Sequence, residues 1–457
     1  MNINSTNPSD NYSDLGSVES TSETNVKKIV TIAKQAQKEW SSISLIYRIS
    51  VLRELYDTFV LKKEVIAQSI SLEMGMPIKL ARDEVQYGLN YYLWYLDNAI
   101  WSLFPEIVVE NHTEIHTVYY EPKWVIAAIT PWNYPFMLCI WACIQPLLAG
   151  NVVIWKISKE VILTGKLIGS MIENSALPHG VWTEIYGDGK TGDMLTDQDI
   201  DGITFTGSTN VGQHLSKKAF EKWITAVMEL GWSAPGIICE DADIDSVLET
   251  IYFMRFSNSG QMCDGLKRLI VHRSRYDELV EKLGKKLKSM KLWNPLDETI
   301  DIGPLVSESQ LQNITRQFKD AIQKWAIIES QLSISKKLSG AYFTPTILGK
   351  ITRDMLVWKE EVFWPILPII TYDSIEESLE LANDTIYGLG AYVFTENRDV
   401  FDYLARHIQS GMVQMNNVNY CIPSDPFGGY KSSGIGREHG KQWFHELCNI
   451  KVISQPK

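Results

Sequence analysis

The feature of this 457-residue chain that most constrains its fold is an alternation of short apolar runs with longer stretches of helical periodicity. Apolar runs of four to eight residues are typical of buried strands, and apolar residues spaced three and four apart are typical of helices. Strands that alternate with helices form βαβ units and a parallel sheet. The predicted strands are 125–129, 151–155, 183–186 and 202–206, and the predicted helices are 136–148, 161–172 and 211–220. We therefore expect an open α/β domain of the dinucleotide-binding type.

Helical and α/β segments flank this region. Residues 26–101 have helical spacing without strand-like alternation, which predicts several helices before the first buried strand. After Glu229, a strand at 269–271 and a helix at 276–290 predict a second α/β unit. A chain of this length exceeds what one hydrophobic core normally organises, so we expect two or three domains.

Composition and charge exclude several classes of protein. The net charge of −12 and the isoelectric point near 5.3 argue against a nucleic-acid partner, which would need clustered Lys and Arg. The six cysteines form no CxxC pair and no metal-ligand spacing with the histidines, which favours a reduced, cytoplasmic protein without a metal site. The first 25 residues lack the features of a signal peptide, and no apolar run approaches the ~18 residues of a membrane span.

Cys263 is the candidate nucleophile of the chain. It ends the run 256–263, in which serine, asparagine and glycine precede the cysteine. A small polar turn of this kind can direct backbone N–H groups at a sulfur atom, and a helix after the cysteine would lower the pKa of the thiol through its N-terminal dipole. We therefore expect a partly exposed, activated thiol, although most cysteines of reduced proteins are inert and buried.

Three further segments have compositions that suit catalysis or phosphate binding. The run 205–212 lies at a predicted strand-to-helix junction, where Ser208 or Thr209 can cap the helix and glycines leave room for a phosphate. Asn133 follows a predicted strand, so its amide can face a cleft at the carboxyl end of that strand. Glu229 follows an apolar stretch, and partial burial would raise its pKa toward that of a working base. An ordinary capped turn, an asparagine that closes its own turn and a solvated glutamate are the alternatives.

Taken together, these segments resemble those of a known family. Their order and approximate spacing are similar to those of the NAD(P)-dependent aldehyde dehydrogenases, over nearly the whole chain. Each motif alone is modest, but seven in the same order make coincidence implausible. The seven are Asn133, Lys156, 205–212, Glu229-Leu230-Gly231, Gly260-Gln261-Met262-Cys263, Glu361-Val362-Phe363 and Pro426-Phe427-Gly428-Gly429.

The resemblance implies an α/β fold of the aldehyde dehydrogenase type. An open parallel-sheet dinucleotide-binding domain would comprise residues 1–102 and 123–230, and an α/β catalytic domain residues 231–428. The segments 103–122 and 429–457 would form a small oligomerisation β-extension. The resemblance also implies a homodimer or homotetramer that acts on a small-molecule aldehyde, with no nucleic-acid or membrane partner.

The resemblance further implies a mechanism. Cys263 attacks the aldehyde carbonyl to form a thiohemiacetal, while the Asn133 amide and the Cys263 backbone N–H hold the oxyanion. Hydride transfer to the nicotinamide leaves a thioester, which a water molecule deprotonated by Glu229 hydrolyses to a carboxylate. Lys156 would contact the adenosine ribose, Ser208 the pyrophosphate and Glu361 the nicotinamide ribose. The full set of implied cofactor residues is Thr130, Pro131, Trp132, Lys156, Ser158, Lys159, Gly207, Ser208, Leu230, Glu361 and Phe363.

The residues after Lys156 bear on the choice between NAD and NADP. The family commonly has Pro-Ser-Glu here, and its glutamate accepts hydrogen bonds from the ribose hydroxyls of NAD. This chain has Ile157-Ser158-Lys159, which puts a cation in the place of that acceptor and a hydroxyl donor beside it. We expect NADP to be preferred and NAD to be accepted, unless Glu160 takes the place of the missing acceptor.

Within the family, the chain is most similar to the succinate-semialdehyde dehydrogenase branch, through Lys267-Arg268 and the run 424–431. The expected substrate is therefore a semialdehyde such as succinate semialdehyde. Some members of that branch have an arginine where this chain has Trp141, and Asp264 beside the nucleophile would repel an anion. An uncharged aliphatic or aromatic aldehyde is the alternative. We expect the substrate pocket to include Tyr134, Met137, Trp141, Met262, Asp264 and Tyr420.

Six tryptophans stand where the family usually has glycine. Glycine and tryptophan differ more in volume than any other pair, and family glycines often need a positive φ or a close backbone approach. Six such replacements, at ~1–3 kcal/mol each, would cost as much as the ~5–15 kcal/mol stability of a whole domain. We hypothesise that UGA codons meaning glycine in the source organism are translated here as tryptophan; a divergent enzyme with compensating cavities is the alternative. The six are Trp124, Trp232, Trp293, Trp325, Trp364 and Trp443.

Two other functions remain open on the sequence alone. A pseudoenzyme or scaffold would keep the fold and the oligomer but not turnover. A cysteine hydrolase would need a histidine partner for Cys263, and the nearest in sequence, His272, lies in a predicted strand. Reduction of a nicotinamide cofactor by an aldehyde distinguishes all three functions.

Overall fold

The computed structural model describes residues 2–334, 338–418 and 421–457, and within them the chain forms two large mixed sheets, a three-stranded sheet and a hairpin. The strands are β1 (Asn2–Asn7), β2 (Ser13–Glu19), β3 (Glu106–Glu110), β4 (Glu114–Pro122), β5 (Val125–Ile129), β6 (Val152–Lys156), β7 (Trp182–Ile185), β8 (Gly202–Thr206), β9 (Thr225–Glu229), β10 (Pro235–Ile238), β11 (Arg268–His272), β12 (Ile327–Gln331), β13 (Thr346–Gly349), β14 (Ile366–Tyr372), β15 (Gly390–Phe394), β16 (Met412–Met415), β17 (Gly434–Ile435) and β18 (Cys448–Pro456). The α-helices are α1 (Glu23–Ser42), α2 (Leu45–Met74), α3 (Ile78–Leu103), α4 (Pro135–Leu148), α5 (Ile162–Glu173), α6 (Gly189–Asp197), α7 (Thr209–Lys222), α8 (Ile244–Phe256), α9 (Tyr276–Lys288), α10 (Glu308–Gln323), α11 (Leu356–Lys359), α12 (Ile375–Asn383), α13 (Arg398–His407) and α14 (Gly440–Glu446).

The first large sheet confirms the predicted α/β segment. Its six strands run in the order β17-β9-β8-β5-β6-β7, and all neighbouring pairs are parallel except β17 and β9. Every residue of β5 and β6 is buried, which is why these strands read as continuous apolar runs. The helices α4, α5 and α7 pack against the strands of this sheet.

Three long helices precede this sheet, as the sequence predicts. Helix α1 begins after Ser22 and helix α2 after Ser44, and the hydroxyls of these serines accept hydrogen bonds from the amides of Asn25 and Tyr47. Helix α2 ends at Gly75, whose left-handed φ of 84° is typical of a glycine C-cap. Helix α3 packs along both α2 and α4. In the part of the chain that the structure describes, no helix combines the length and the apolar character needed to cross a bilayer.

The second large sheet contains the α/β unit predicted after Glu229. Its seven strands run in the order β12-β13-β14-β11-β10-β15-β16, and all neighbouring pairs are parallel except β12 and β13. The predicted strand at 269–271 is β11, and the predicted helix at 276–290 is α9. Cys263 lies in the segment that joins α8 to β11, so this sheet positions the candidate nucleophile.

The two segments predicted to form an extension pair with each other in a small antiparallel sheet. Its order is β18-β4-β3, and β18 pairs along the whole length of β4. The polar amino-terminal segment forms a hairpin of β1 and β2. The sequence did not predict this hairpin because its strands contain few apolar residues.

Three tryptophans adopt backbone conformations that favour glycine. Their φ angles are 112° at Trp124, 57° at Trp223 and 71° at Trp325. Trp223 is the C-cap of α7, and Trp325 follows the C-cap of α10; glycine commonly ends helices at such positions. The backbone therefore supports the glycine hypothesis at Trp124 and Trp325 and adds Trp223 to it.

Trp443 behaves differently. It is fully buried against Ile126, Val227 and Leu447, and its Nε1 donates a hydrogen bond to the carbonyl of Trp141 at 3.1 Å. A buried indole with a satisfied N–H is an ordinary core residue. The packing therefore gives no support to glycine at position 443.

Candidate active site

Cys263 follows a turn in which three consecutive residues have left-handed backbone conformations. Their φ angles are 50° at Asn258, 55° at Ser259 and 73° at Gly260. The Nδ2 of Asn258 donates to the carbonyl of Asn133 at 3.0 Å, which ties the turn to the loop after β5. Strained backbone persists where surrounding contacts hold it, and it is common at functional sites. The turn leaves Cys263 partly exposed, as the sequence predicts.

The predicted electrostatics of the thiol are wrong. The described residues 263–267 form a turn and an irregular segment, and not a helix, before β11 begins. A helix dipole therefore does not act on the sulfur from this side. Burial raises the pKa of the Cys263 thiol, the neighbouring Asp264 raises it further, and the charge of Lys267 opposes them. Burial and Asp264 therefore favour the neutral thiol over the thiolate before any ligand binds.

Lys267 is a buried cation close to the candidate nucleophile. Its Nζ donates to the carbonyls of Gly260 and Met262 at 3.2 and 3.0 Å and lies 4.4 Å from the centroid of the Phe363 ring. Burial lowers the pKa of Lys267. The ammonium group thus fixes the backbone just before Cys263 and favours the thiolate. This role is not evident from the sequence, where only the position of Lys267 after the cysteine is visible.

Cys263 lines a cavity of about 270 Å³, named here the strand-end cavity. Its walls come from the ends of β8 and β9, from the loops after β5, β8 and β9, from helix α10 and from the segment before β14. Such loops follow the carboxyl ends of parallel strands, where α/β sheets bind ligands. The structure brings together most of the predicted catalytic and cofactor residues here: Pro131, Trp132, Asn133, Gly207, Ser208, Glu229, Leu230, Cys263, Glu361 and Phe363.

Asn133 and Glu229, the two other predicted catalytic residues, line the strand-end cavity together with Cys263. The Nδ2 of Asn133 donates to the carbonyl of Gln261 at 3.1 Å, which leaves a second amide hydrogen. Glu229 is buried at the end of β9, and neither carboxylate oxygen has a hydrogen-bond partner among the described residues. Burial raises the pKa of Glu229 well above its usual range, and Glu438 raises it further. A carboxyl group of this kind suits proton transfer near neutral pH.

The amino terminus of α7 provides an anion site beside the strand-end cavity. Ser208 is the N-cap of this 14-residue helix, and its hydroxyl makes no capping hydrogen bond. The adjacent Thr209 is engaged instead, since its Oγ1 accepts a hydrogen bond from the amide of Gly231 at 3.2 Å. First-turn N–H groups lack intrahelical partners and attract phosphate. A free hydroxyl and an uncapped helix end therefore fit the pyrophosphate of a dinucleotide.

The predicted residues Thr130, Lys156, Ser158 and Lys159 are not among the described residues that line that cavity. The Thr130 hydroxyl accepts a hydrogen bond from a buried indole at 2.9 Å. Lys156 is buried at the end of β6, and burial lowers its pKa to about 8. Ser158 caps a short 3-10 helix, and the Nζ of Lys159 lies 3.7 Å from Oε1 of Glu160. The two residues that could discriminate NAD from NADP thus form an ion pair.

Cys263 also lines a second cavity, of about 180 Å³, named here the aromatic cavity. Among the described residues, Cys263 is the one that lines both cavities. Tyr420 lies outside the described residues. The other predicted pocket residues, Tyr134, Met137, Trp141, Met262 and Asp264, all line the aromatic cavity, together with Tyr87, Tyr91, Phe253 and Phe427.

The cysteine-hydrolase alternative lacks its base. No histidine occurs among the described lining residues of either cavity. His272 ends β11, and its Nδ1 lies 2.8 Å from the hydroxyl of Ser274. The described geometry therefore contains no Cys-His pair at Cys263.

Comparison with known proteins decides the family. The profile of the aldehyde dehydrogenase family matches residues 1–453. The chain belongs to the aldehyde dehydrogenase family. It is an NAD(P)-dependent oxidoreductase that acts on aldehydes, with the fold that the sequence resemblance implied.

Relatives of this aldehyde dehydrogenase have different substrates in their names. Aminoaldehyde dehydrogenase 1 of Pisum sativum is 32% identical over 452 residues, which cover 96% of this chain and 90% of the relative. A probable NADP+ succinate-semialdehyde dehydrogenase of Sinorhizobium fredii is 31% identical over 425 residues, which cover 92% and 86%. The crystal structure of an aldehyde dehydrogenase from Brucella melitensis biovar abortus superposes with a TM-score of 0.95 at 33% identity, and covers 100% of this chain and 94% of that one.

Two of the six tryptophans, Trp232 and Trp364, lie at the site of this aldehyde dehydrogenase. Trp364 lines the strand-end cavity. The Nζ of Lys267 lies over the ring of Trp232, 5.9 Å from the ring centroid. Both side chains are buried, and neither indole N–H has a partner among the described residues. An unpaired buried donor is unfavourable. The buried N–H groups of Trp141 and Trp182, which lie outside the glycine hypothesis, are unpaired as well, so this feature does not decide positions 232 and 364.

Glu84 was not predicted from the sequence. This residue lies on the buried face of α3, and its Oε1 accepts a hydrogen bond from the amide of Met137 at 2.8 Å. Glu84 therefore caps α4 from a neighbouring helix and also lines the aromatic cavity. The available signal was a carboxyl group at helical spacing between the apolar residues Ala81 and Val85.

Proposed function

We propose that this aldehyde dehydrogenase oxidises an aldehyde to a carboxylate through a covalent intermediate on Cys263. The observation that carries the proposal is that Cys263 lines both cavities. An aldehyde in the aromatic cavity and a nicotinamide ring in the strand-end cavity would meet at its sulfur atom. When bound, the nicotinamide supplies the acceptor for the hydride.

In the first step the partly exposed Cys263 thiol loses its proton to solvent water, and the thiolate sulfur adds to the aldehyde carbon. The carbonyl oxygen becomes an oxyanion, which the second N–H of Asn133 and the backbone N–H of Cys263 stabilise. When the C=O bond re-forms, the former aldehyde hydrogen leaves with both electrons of its bond, and a thioester remains on the sulfur.

The second step is hydrolysis of that thioester. Glu229 takes a proton from a water molecule as the water oxygen adds to the thioester carbon. The sulfur then leaves with its bonding electrons, and the product departs as a carboxylate. The free oxygens of Glu229 and its raised pKa support this role, because a base must be unengaged and able to hold a proton.

For the cofactor, we propose that Ser208 and the first turn of α7 hold the pyrophosphate. Lys156 would contact the adenosine ribose, and Glu361 the nicotinamide ribose, with Phe363 packing nearby. Burial raises the pKa of Glu361, whereas the charge of Lys267 opposes the shift. A partly charged carboxylate of this kind accepts hydrogen bonds from ribose hydroxyls.

NADP is the proposed preference over NAD. The support is Lys159, which is largely exposed and can turn toward a 2′-phosphate. The ion pair between Lys159 and Glu160 favours NAD instead, because the Glu160 carboxylate can accept hydrogen bonds from the ribose hydroxyls of NAD. The preference therefore depends on which of these two side chains meets the ribose.

The substrate proposal carried over from the sequence is a semialdehyde such as succinate semialdehyde. The likeness to the Sinorhizobium fredii relative supports it. The described lining of the aromatic cavity, however, contains no Lys, Arg or His that could pair with a carboxylate. An uncharged aliphatic or aromatic aldehyde, the second candidate, meets no such obstacle.

We also propose that the chain assembles as a homodimer or homotetramer through the three-stranded sheet. Apolar side chains on β3 and β18 are exposed, among them Ile107, Val108, Ile450 and Val452. An exposed apolar strand surface of this kind favours contact with another chain. Light scattering of the purified protein measures the assembly.

Two substitutions test the catalytic proposal. Cys263→Ala should abolish aldehyde-dependent NAD(P)H formation, whereas Cys239→Ala, which removes a buried thiol directly after β10, should retain it. Glu229→Gln should keep the first turnover and slow thioester hydrolysis, so that rapid mixing shows a burst of NAD(P)H and mass spectrometry finds an acylated Cys263. Steady-state turnover by Cys263→Ala at the parent rate would overturn the proposal.

A further inference from the structure

The amino-terminal hairpin is a feature that the proposed mechanism does not use. Its first strand, β1, packs against the 3-10 helix Lys159–Val161, which carries the two side chains that could discriminate NADP from NAD. Its tip lies against the loop between β12 and β13, where the amide of Ala341 donates to the carbonyl of Pro8 at 2.9 Å. A Cβ atom at Gly340, whose φ is 110°, would lie 2.2 Å from that carbonyl, so this close approach requires glycine. The hairpin therefore connects the cofactor turn with the half of the chain that carries Cys263.

Glu73 joins this hairpin to the start of α5. The residue lies near the carboxyl end of α2 and is 1% exposed. Its Oε1 accepts hydrogen bonds from the hydroxyl of Ser5 at 2.6 Å and from the amide of Leu163 at 2.7 Å. Its Oε2 accepts hydrogen bonds from the amide and the hydroxyl of Thr164 at 2.7 and 2.8 Å. Each oxygen thus accepts two hydrogen bonds, as an ionised carboxylate does.

The helix α5 needs this acceptor because its own N-cap supplies none. The N-cap is Val161, which makes no side-chain capping hydrogen bond. First-turn amides have no intrahelical partner, and a carboxylate near them also interacts favourably with the helix dipole. The amides of Leu163 and Thr164 are such first-turn groups. Glu73 therefore fixes the point at which α5 begins, directly after the turn that carries Lys159 and Glu160.

We propose that Glu73 is a positioning residue for the cofactor: by joining the hairpin to the start of α5, it fixes where Lys159 and Glu160 lie relative to the 2′-position of the adenosine ribose. The inference rests on the proposed site for that ribose. At its other end the turn is held by Ser158, whose hydroxyl accepts a hydrogen bond from the amide of Glu160 at 3.3 Å. Loss of the Glu73 contacts lets the turn move away from the ribose, which reduces the discrimination between NADP and NAD.

The test measures cofactor binding without turnover. Calorimetry gives the dissociation constants of NADP+ and NAD+, and their ratio reports the discrimination at the 2′-position. In Glu73→Gln an amide donor replaces one acceptor oxygen, so the ratio should move toward one by roughly threefold to tenfold, the effect of one net hydrogen bond. Ser5→Ala removes the hairpin hydroxyl alone and should move the ratio in the same direction by a smaller factor. Steady-state kinetics should place the change in the KM of the cofactor and not in kcat.

Two exposed residues provide matched controls. Glu54→Gln makes the same change of charge on α2, and Ser17→Ala removes a hydroxyl from β2; both variants should keep the parent ratio. A general loss of stability would weaken the binding of both cofactors by the same factor and would not move the ratio. In a protein that already carries Lys159→Ala and Glu160→Ala, Glu73→Gln should leave the ratio unchanged, because Glu73 acts through these side chains.

Several outcomes would overturn the inference. The ratio contradicts it if it is near one in the parent protein, or if neither Glu73→Gln nor Ser5→Ala moves it toward one; the catalytic proposal then stands unchanged. The inference also fails if Glu73→Gln moves the ratio equally with and without the side chains of Lys159 and Glu160. A parent protein that binds neither cofactor would contradict the proposed cofactor site itself and this inference with it. If Glu73→Gln does not fold, the comparison of Ser5→Ala with Ser17→Ala decides.

Discussion

Replacing three exposed tryptophans by glycine should stabilise this aldehyde dehydrogenase. Trp124, Trp223 and Trp325 have positive φ angles of 112°, 57° and 71°. Their side chains are 56%, 87% and 85% exposed, so little packing is lost when they are removed. Tryptophan normally stabilises a protein by burial, and at these positions it contributes strain instead.

The magnitude follows from two opposing effects. A left-handed backbone conformation destabilises the folded state by ~1–2 kcal/mol at a residue with a Cβ atom, and glycine avoids this strain. Glycine in turn lowers the free energy of unfolding by ~0.5–1 kcal/mol, because it increases the conformational freedom of the unfolded chain. The net gain is therefore roughly 0.5–1 kcal/mol at each site, and distant sites add. With ~2.1 cal/mol/K of unfolding entropy per residue, a chain of this length gains only about 1 °C in Tm for each kcal/mol.

The assay is unfolding of the triple variant and its parent in urea and by calorimetry. The matched control is Trp443→Gly, which removes a buried indole that donates to the carbonyl of Trp141; this variant should lose ~3–5 kcal/mol. A triple variant less stable than its parent would refute the argument from backbone strain. A Trp443→Gly variant more stable than its parent would show instead that position 443 follows the glycine hypothesis despite the burial of its indole.

Three further predictions concern the site. Lys159→Glu should move the ratio of kcat/KM for NADP to that for NAD about tenfold toward NAD, whereas Lys166→Glu, an exposed control on α5, should leave it unchanged; an unmoved ratio means that Lys159 does not meet the ribose. Lys267→Met should slow alkylation of Cys263 roughly threefold to tenfold at fixed pH, because the cation that favours the thiolate is lost, and Lys267→Arg should largely restore the rate; equal rates in all three proteins contradict this role. Since burial raises the pKa of Glu229, thioester hydrolysis should lose rate as the pH falls through that raised pKa and protonates the base, and Glu229→Gln should abolish this acid limb. A hydrolysis rate that keeps the same pH profile in the variant would assign the base to another group.

The local sequence pattern predicted the strands β5, β6, β7, β8 and β11 and the helices around them, because short-range forces decide these elements. The runs that form β5 and β6 are apolar throughout, and strands buried on both faces require this. The amino-terminal hairpin was not predicted, because the pairing of β1 with β2 depends on backbone hydrogen bonds and contacts with distant residues rather than on an apolar pattern. Helix α7 was predicted two residues short at each end, since caps are set by local geometry that periodicity does not record.

The sequence by itself determined the family, the alternation of strands and helices over residues 125–220, and the identities of Cys263, Glu229 and Asn133 as candidates, because short segments of the chain carry each of these. Only the tertiary structure decided what surrounds the thiol. Glu84 comes from α3 and Asp264 from the loop before β11, and no sequence spacing connects them to one cavity. The same holds for the raised pKa of Cys263, which reflects burial by segments distant in sequence and the balance between Asp264 and Lys267. Charge, desolvation and cavity shape act through space, and they exist only once the two large sheets and their connecting loops have packed.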